Sequence, residues 1–126
     1  MTSVSIIIPT FNDENKIENK ISILQKKLKQ MKIGYEIILI NDGSTDRTSN
    51  ILNKLKSRKK NIKVVVNSKN MGKSFSVRKG LKLSKYSFVI LIDSDLPYFE
   101  VFPKIINKLN FSFEFNNLNK FDWILN

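Results

Sequence analysis

Asp93-Ser94-Asp95 directly follows the apolar run Phe88-Val89-Ile90-Leu91-Ile92. Two carboxylates one residue apart at the end of a buried strand are poor core material, because a buried carboxylate is costly unless paired or metal-bound. In an extended backbone residues 93 and 95 share parity, so both side chains leave on one side. The pair suits a hard divalent cation that takes oxygen ligands and fills its shell with phosphate oxygens. A cation held there would neutralise a diphosphate leaving group. A bare D-x-D string is common by chance, and its place after an apolar strand gives it weight. Helix capping of the segment after Pro97 would account for Asp95 but not for both carboxylates.

Two further strings carry polar groups of use to a nucleotide. Asn41-Asp42-Gly43-Ser44-Thr45-Asp46 follows the apolar run that ends at Ile40. A carboxylate or amide at such a turn can hydrogen-bond a base or ribose, and the helix start beyond it favours phosphate. An ordinary Asp-Gly turn with a serine cap is the simpler account of that string taken alone. Asn70-Met71-Gly72-Lys73 brings a glycine for close backbone approach and a lysine for phosphate. The Walker spacing G-x-x-x-x-G-K is absent. Arg78 follows a helical turn later as a second cation. Lys73 and Arg78 also suit plain surface charges, and Lys79 and Lys82 are read as such.

These strings need elements to position them. Val4 to Pro9 reads as a strand, with the proline ending ladder pairing. Ile17, Ile21, Leu24, Leu28 and Met31 form one helical stripe within Glu14 to Met31. Asn12 or Asp13 is its expected cap and Gly34 its stop. Tyr35 to Ile40 is the second strand, and Ser44 or Thr45 caps a short helix with Ile51, Leu52 and Leu55. Ile62 to Val66 is the third strand. Gly72 opens a helix carrying Val77 and Leu81, and Phe88 to Ile92 is the fourth strand. Val101, Phe102, Ile105, Ile106 and Leu109 make another helical stripe. The tail from Asn110 is weakly patterned, with Phe121 to Leu125 as a further strand.

Continuous apolar strands separated by amphipathic helices imply an α/β fold. Its Rossmann-like, mostly parallel sheet would be covered by helices on both faces. Right-handed crossovers bring every strand's carboxyl end to one edge, where ligands bind near the switch in strand order. Pro9 to Glu14, Asn41 to Ser44, Asn67 to Lys73 and Asp93 to Asp95 all fall there. Their convergence says more than any single string.

Composition narrows the chemistry. The 126 residues make one domain, spanning 1–126, and an apolar content of 41% is enough for a core. There is no cysteine and no histidine. Thiolate sites are excluded, and an all-oxygen site favours Mg²⁺, Mn²⁺ or Ca²⁺ over zinc. The absence of cysteine fits a reducing compartment. No apolar run approaches the roughly 20 residues of a membrane span, and the start lacks a basic secretion-signal region. The net charge of +11 favours anionic partners. Most of the lysines, however, read as decoration of solvated helix faces. No nucleic-acid-binding motif is present, so no nucleic-acid partner is expected. A phosphoacceptor receiver domain is excluded by placement, since its acidic cluster would follow the first strand, where Pro9-Thr10 stands.

Taken in order, the strings resemble the family 2 glycosyltransferases. Val4-Ser5-Ile6-Ile7-Ile8-Pro9-Thr10-Phe11-Asn12-Asp13-Glu14 is similar to that family's opening strand and P-x-Y/F-N-E turn. Glu36 to Thr48 resembles E-x-x-x-V-D-D-G-S-x-D-x-T. Asn70 to Gly80 is similar to the N-x-G-K-x-x-A-V-R-x-G stretch of polyprenyl-phosphate hexose synthases, and Asp93-Ser94-Asp95-Leu96 to their D-A-D-L. The likeness covers residues 4–109, and its nearest branch is the dolichyl-phosphate mannose or glucose synthases.

The resemblance implies a GT-A fold and inverting transfer of a hexose from GDP-mannose or UDP-glucose to a polyprenyl or dolichyl phosphate. It implies a nucleotide-sugar site made of Pro9, Thr10, Phe11, Asp13, Asn41, Asp42, Gly43, Lys73, Arg78, Asp93, Ser94 and Asp95. Pro9, Phe11 and Asp13 would line the base pocket, and Asn41 and Asp42 would contact base or ribose. Arg78 would assist the nucleotide, and Asp93 with Asp95 would hold Mg²⁺ or Mn²⁺. It also implies a place at the cytosolic face of a membrane, the endoplasmic reticulum in a eukaryote.

The chain departs from the pattern at several points. Asn41 stands for the first Asp of D-D-G-S, Asp13 for Glu, and Pro97 for the Gln that often follows D-A-D-L. Phe121 to Asn126 resembles the strand that precedes the family's acceptor half, so the domain is expected to be cut short there. The general base is then expected beyond Asn126. The alternative is a non-catalytic nucleotide-binding module.

Overall fold

The computed structural model describes residues 3–93. Seven elements alternate: β1 (Ser3–Thr10), α1 (Ile17–Gln30), β2 (Gly34–Asn41), α2 (Thr48–Arg58), β3 (Ile62–Val66), α3 (Lys73–Leu83) and β4 (Phe88–Leu91). The expected helix over Val101 to Leu109 and strand over Phe121 to Leu125 lie outside the described residues. Among the described residues no helix is long and apolar enough to cross a membrane.

The four strands form one parallel sheet in the order β3-β2-β1-β4. Isoleucines dominate β1 and β2, and both strands are buried on both faces, as continuous apolar strands require. Even-numbered β1 residues Val4, Ile6 and Ile8 join Ile37, Leu39 and the stripe Ile17, Ile21, Leu24 and Leu28 of α1, with Leu52 and Leu55 of α2. Ile7, Ile38, Ile40 and Val89 face the other way, with Leu81 of α3 against them. Helices therefore cover both faces, as expected. Each fully buried Leu or Ile contributes about 1.5–3 kcal/mol.

Several local expectations are corrected. Pro9 does not end β1: it pairs with Ile40 and Thr10 pairs with Asn41. Pairing toward β4 stops at Ile7, whose carbonyl accepts the Ile92 N–H at 3.0 Å. The missing proline N–H falls where that ladder has already ended, which a proline tolerates. Helix α1 ends through Lys32 at φ +54°, not through Gly34. Gly34 starts β2 instead, and a Cβ there would lie 2.5 Å from Ser3 Oγ. Helix α3 packs through its smallest residues. Ser76 and Gly80 are buried, whereas Val77 and Leu81 are only partly so. A Cβ on Gly80 would come within 2.6 Å of Ile7 Cγ2, so the glycine sets how closely α3 approaches the sheet.

Glu36 lies beneath α3 at 2% exposure. Ser5 Oγ and the Lys85 N–H donate to its Oε1, and Lys63 Nζ sits 2.8 Å from its Oε2. Burial alone would raise its pKa. The bonds from Lys63, Ser5 and the Lys85 N–H outweigh burial and hold it below the usual carboxylate range. A lowered folded-state pKa stabilises the fold above the unfolded value, and that contribution is lost as pH falls through the folded value. We expect stability to drop below about pH 4.5, and Glu36→Gln to show a weaker drop. Urea denaturation between about pH 3 and pH 7 measures both slopes.

Candidate functional site

The strand order places the switch point between β1 and β4. The chain leaving β1 crosses to β2 on one face, and the chain entering β4 arrives from the other. Parallel sheets of this kind open a crevice at the carboxyl ends of those strands. Pro9 and Thr10 stand there at the end of β1 with Phe11 just after it, Asn41 at the end of β2 with Asp42 and Gly43 after it, Asn67 to Lys73 after β3, and Asp93 after β4. Phe11 is 45% exposed, so an aromatic ring lies open at the rim. Thr10 is buried and its hydroxyl donates to the Ile8 carbonyl at 3.3 Å.

The first two loops are clipped together. Asn12 has φ +47°, a left-handed conformation that asparagine tolerates better than most residues. Its N–H donates to Ser44 Oγ at 3.0 Å, and its Oδ1 accepts the Thr45 N–H at 2.8 Å. The Asp13 N–H donates to Thr48 Oγ1 at 2.9 Å, and Glu14 Oε2 accepts the Arg47 N–H at 2.9 Å. Asn12, Ser44 and Thr45 are therefore not side-chain helix caps, because their polar groups are used between loops, and the Asp13 carboxylate pairs with Lys20 instead.

Asp46 is the group that serves a helix start. Its carboxylate accepts the Thr48 N–H at 2.9 Å and the Glu14 N–H at 3.3 Å. Desolvation would raise its pKa, but bonds from Thr48 and the Glu14 N–H lower it on balance. The Asp13 carboxylate sits 3.2 Å from Lys20 Nζ on α1, so its charge is balanced within the chain.

Asp42 joins the second loop to the third. It is 5% exposed. Its Oδ1 accepts Asn67 Nδ2 at 2.9 Å and the Met71 N–H at 2.7 Å, and its Oδ2 accepts the Gly72 N–H at 3.0 Å. A carboxylate with several donors, two of them backbone N–H groups near a helix start, is well stabilised. Asn67 also donates to Ser76 Oγ at 3.1 Å and accepts from Lys79 Nζ at 2.9 Å. Lys79, read from sequence as a surface charge, is thus part of this network.

Gly43 has φ +71°, and a Cβ there would lie 2.5 Å from the Asn70 nitrogen. The glycine is required by both the turn and the closeness of the third loop. Gly43→Ala is expected to destabilise the fold by about 1–3 kcal/mol, read as a lower thermal midpoint.

Asn41 is fully enclosed. Its Oδ1 accepts the Ser44 N–H and its Nδ2 donates to Ser49 Oγ. The sequence suggested that Asn41 touches the base or ribose, but the structure places it beneath the turn. Asn67, Glu14, Asp46 and Thr48 lie within the strings read from sequence, but the sequence alone assigns none of them a role. The one available signal was that Asn67 ends an apolar strand.

Lys73, next to the tethered Gly72, reaches across to Asp93, with Nζ 2.6 Å from Oδ2. The pair is about half exposed, at 55% and 47%. Arg78 is exposed on the outer surface of α3 beside Phe75, Lys79 and Lys82. It has no hydrogen-bond or ion-pair partner among the described residues. The structure thus brings Pro9, Thr10, Phe11, Asp42, Gly43, Lys73 and Asp93 to one edge and sets Arg78 apart. Ser94 and Asp95 lie outside the described residues. Among those described, no three acidic side chains cluster as a complete metal site. Asp93 fits a hard cation as an accessible carboxylate at the switch point whose described partner is one exposed lysine.

Comparison with known proteins fits this arrangement. The model of the Glycosyl transferase family 2 matches residues 5–113. The dolichol-phosphate mannosyltransferase of Pyrococcus furiosus is 35% identical over 107 residues, which are 84% of this chain and 30% of that one. The crystal structure of S. aureus TarS 1-349 with UDP-GlcNAc superposes with a TM-score of 0.69 at 27% identity, over 90% of this chain and 32% of the other. The mannosyltransferase PcManGT of Pyrobaculum calidifontis, solved with GDP-Man and Mn²⁺, shares the fold with a TM-score of 0.64 at 22% identity. That match covers 73% of this chain and 27% of the other. The chain spans 28% to 45% of the length of the curated relatives it matches first. It belongs to glycosyltransferase family 2 and has that family's GT-A fold.

Proposed function

We propose that this chain carries the donor-binding part of an inverting hexosyltransferase that uses GDP-mannose or UDP-glucose and a polyprenyl or dolichyl phosphate acceptor. The observation that carries the reading is the tether from Asp42 through Gly72 to Lys73 and Asp93. It joins a nucleotide-side turn to the charged end of β4 across the switch point, the arrangement a nucleoside diphosphate needs. In this reading Pro9, Thr10, Phe11 and Asp13 border the base. Asp42 and Gly43 shape the ribose side, Asn41 supports them from below, and Lys73 offers positive charge to the diphosphate.

Asp93 and Asp95, with Ser94 between them, would hold Mg²⁺ or Mn²⁺. A cation held there would supply charge neutralisation at the diphosphate leaving group. Mn²⁺ and GDP-mannose in the Pyrobaculum structure, and the mannosyl transfer named for the Pyrococcus relative, support the choice of metal and donor. A lipid-phosphate acceptor places the reaction at the cytosolic face of a membrane, and a net charge of +11 would favour an anionic surface. The described rim offers no free general base, since Asp13 is paired with Lys20 and Asp42 is occupied by three donors. We place the base in the part of the relatives that this chain does not span.

Calorimetric titration with GDP and UDP sugars, with and without Mn²⁺, tests the reading. Mn²⁺-dependent binding of one of them is expected. Binding of neither, under either condition, overturns it. Binding by this chain without transfer to a lipid phosphate would favour a nucleotide-binding module.

A further inference from the structure

We infer that Lys73 is a built-in counter-ion that occupies Asp93 until a divalent cation arrives together with a diphosphate. Lys73 thereby makes metal binding and nucleotide binding depend on each other. The inference rests on the proposed nucleotide-sugar site and adds the order in which that site fills. Lys73 Nζ lies 2.6 Å from Asp93 Oδ2 and equally close to Oδ1, so the ammonium contacts both oxygens of the carboxylate. An ammonium seated on that carboxylate competes with a dication for it, because the two positive charges repel each other at that distance.

The position of Lys73 is not accidental, because Gly72 and Met71 immediately before it donate to Asp42. Lys73 is also the first residue of α3, where the helix dipole disfavours a cation. Its own local setting offers that ammonium little, and Asp93 is the anion that holds it among the described residues.

A metal ion entering alone must displace Lys73 and then leave that cation beside a dication. Like charges a few ångströms apart are unfavourable even near a surface. A diphosphate removes the difficulty, since its oxygens take both the metal and the freed ammonium. The site should therefore bind metal poorly when empty and well when nucleotide is present. Lys73 would hold the Asp93 carboxylate in place without drawing in metal that has no substrate to serve.

The test measures Mn²⁺ binding by the electron paramagnetic resonance of free Mn²⁺, with and without GDP or UDP, in the full chain and in Lys73→Met and Lys73→Arg. Thermal melting confirms that each variant is folded. Lys73→Met is expected to bind Mn²⁺ without nucleotide about fivefold more tightly, the most that an exposed ion pair is worth. The factor by which nucleotide tightens Mn²⁺ binding should shrink at the same time, and Lys73→Arg should keep the wild-type pattern. Unchanged or weaker Mn²⁺ binding in a folded Lys73→Met chain overturns the inference, provided the wild type binds Mn²⁺ with nucleotide. If the wild type binds no Mn²⁺ even with nucleotide, the site reading itself fails. The two failures are therefore distinguishable.

Discussion

Asp93→Asn and Asp95→Asn are each expected to lower the Mn²⁺-dependent affinity for a nucleoside-diphosphate sugar by about 100-fold while leaving the thermal midpoint nearly unchanged. Asparagine keeps the shape of aspartate and one oxygen but removes the charge, so the change is confined to what the carboxylate does. Losing an anionic ligand weakens cation binding, and losing the cation exposes the diphosphate to Asp42 and to the remaining carboxylate. Stability should barely respond at residue 93, since the Lys73 pair is about half exposed and such pairs contribute no more than about 1 kcal/mol. Affinity measured without metal separates the causes. It should be weak in the wild type and stay weak in both variants. Mn²⁺-dependent affinity that survives in both would remove the metal from this site.

The sheet was legible in the sequence because its signal is redundant. In β1 and β2 nearly every residue is buried, so each apolar position repeats the same message. The convergence of loops on one edge followed from strand order and crossover handedness, which need no side-chain detail. Helix α3 was harder, since its contact with the sheet runs through Ser76 and Gly80, and small residues carry no hydrophobic period. Helix starts were misread for a related reason. Asn12, Asp13, Ser44 and Thr45 are all good capping types, and only the packing of one loop against another decides that Asp46 takes the role.

The same limit applies within the site. That Asp42 and Lys73 belong to it could be read from their places after strands. That Asp42 is saturated by the third loop, and that Lys79 serves Asn67, could not, because residues 42, 67, 71 and 79 meet only in three dimensions. Arg78 shows the reverse: its spacing from Lys73 suggested a shared task, while its position on α3 puts it on the outer surface.

Asp42→Ala should be the most disruptive single change at the rim. It removes the acceptor for Asn67 Nδ2 and for the N–H groups of Met71 and Gly72. Each buried donor left without a partner costs about 1–3 kcal/mol. Asn67 is 3% exposed and cannot turn to water, and its amide is also held by Ser76 and Lys79. The Met71 and Gly72 amides can be rehydrated if the loop opens. We therefore expect a loss of about 3 kcal/mol, or a fall of about 10–20 °C in thermal midpoint for a domain of this size. Asp42→Asn should lose less, because one oxygen remains while its amide faces an N–H donor. Nucleotide-sugar affinity should fall in both variants in the order Ala then Asn, because the loop that carries Lys73 is no longer held. Amide hydrogen exchange distinguishes this tether from a direct ligand contact. In nucleotide-free Asp42→Ala, the amides of Met71 and Gly72 should exchange much faster than in the wild type. If they stay protected, Asp42 does not hold the loop, and the lost affinity belongs to a contact with the nucleotide itself.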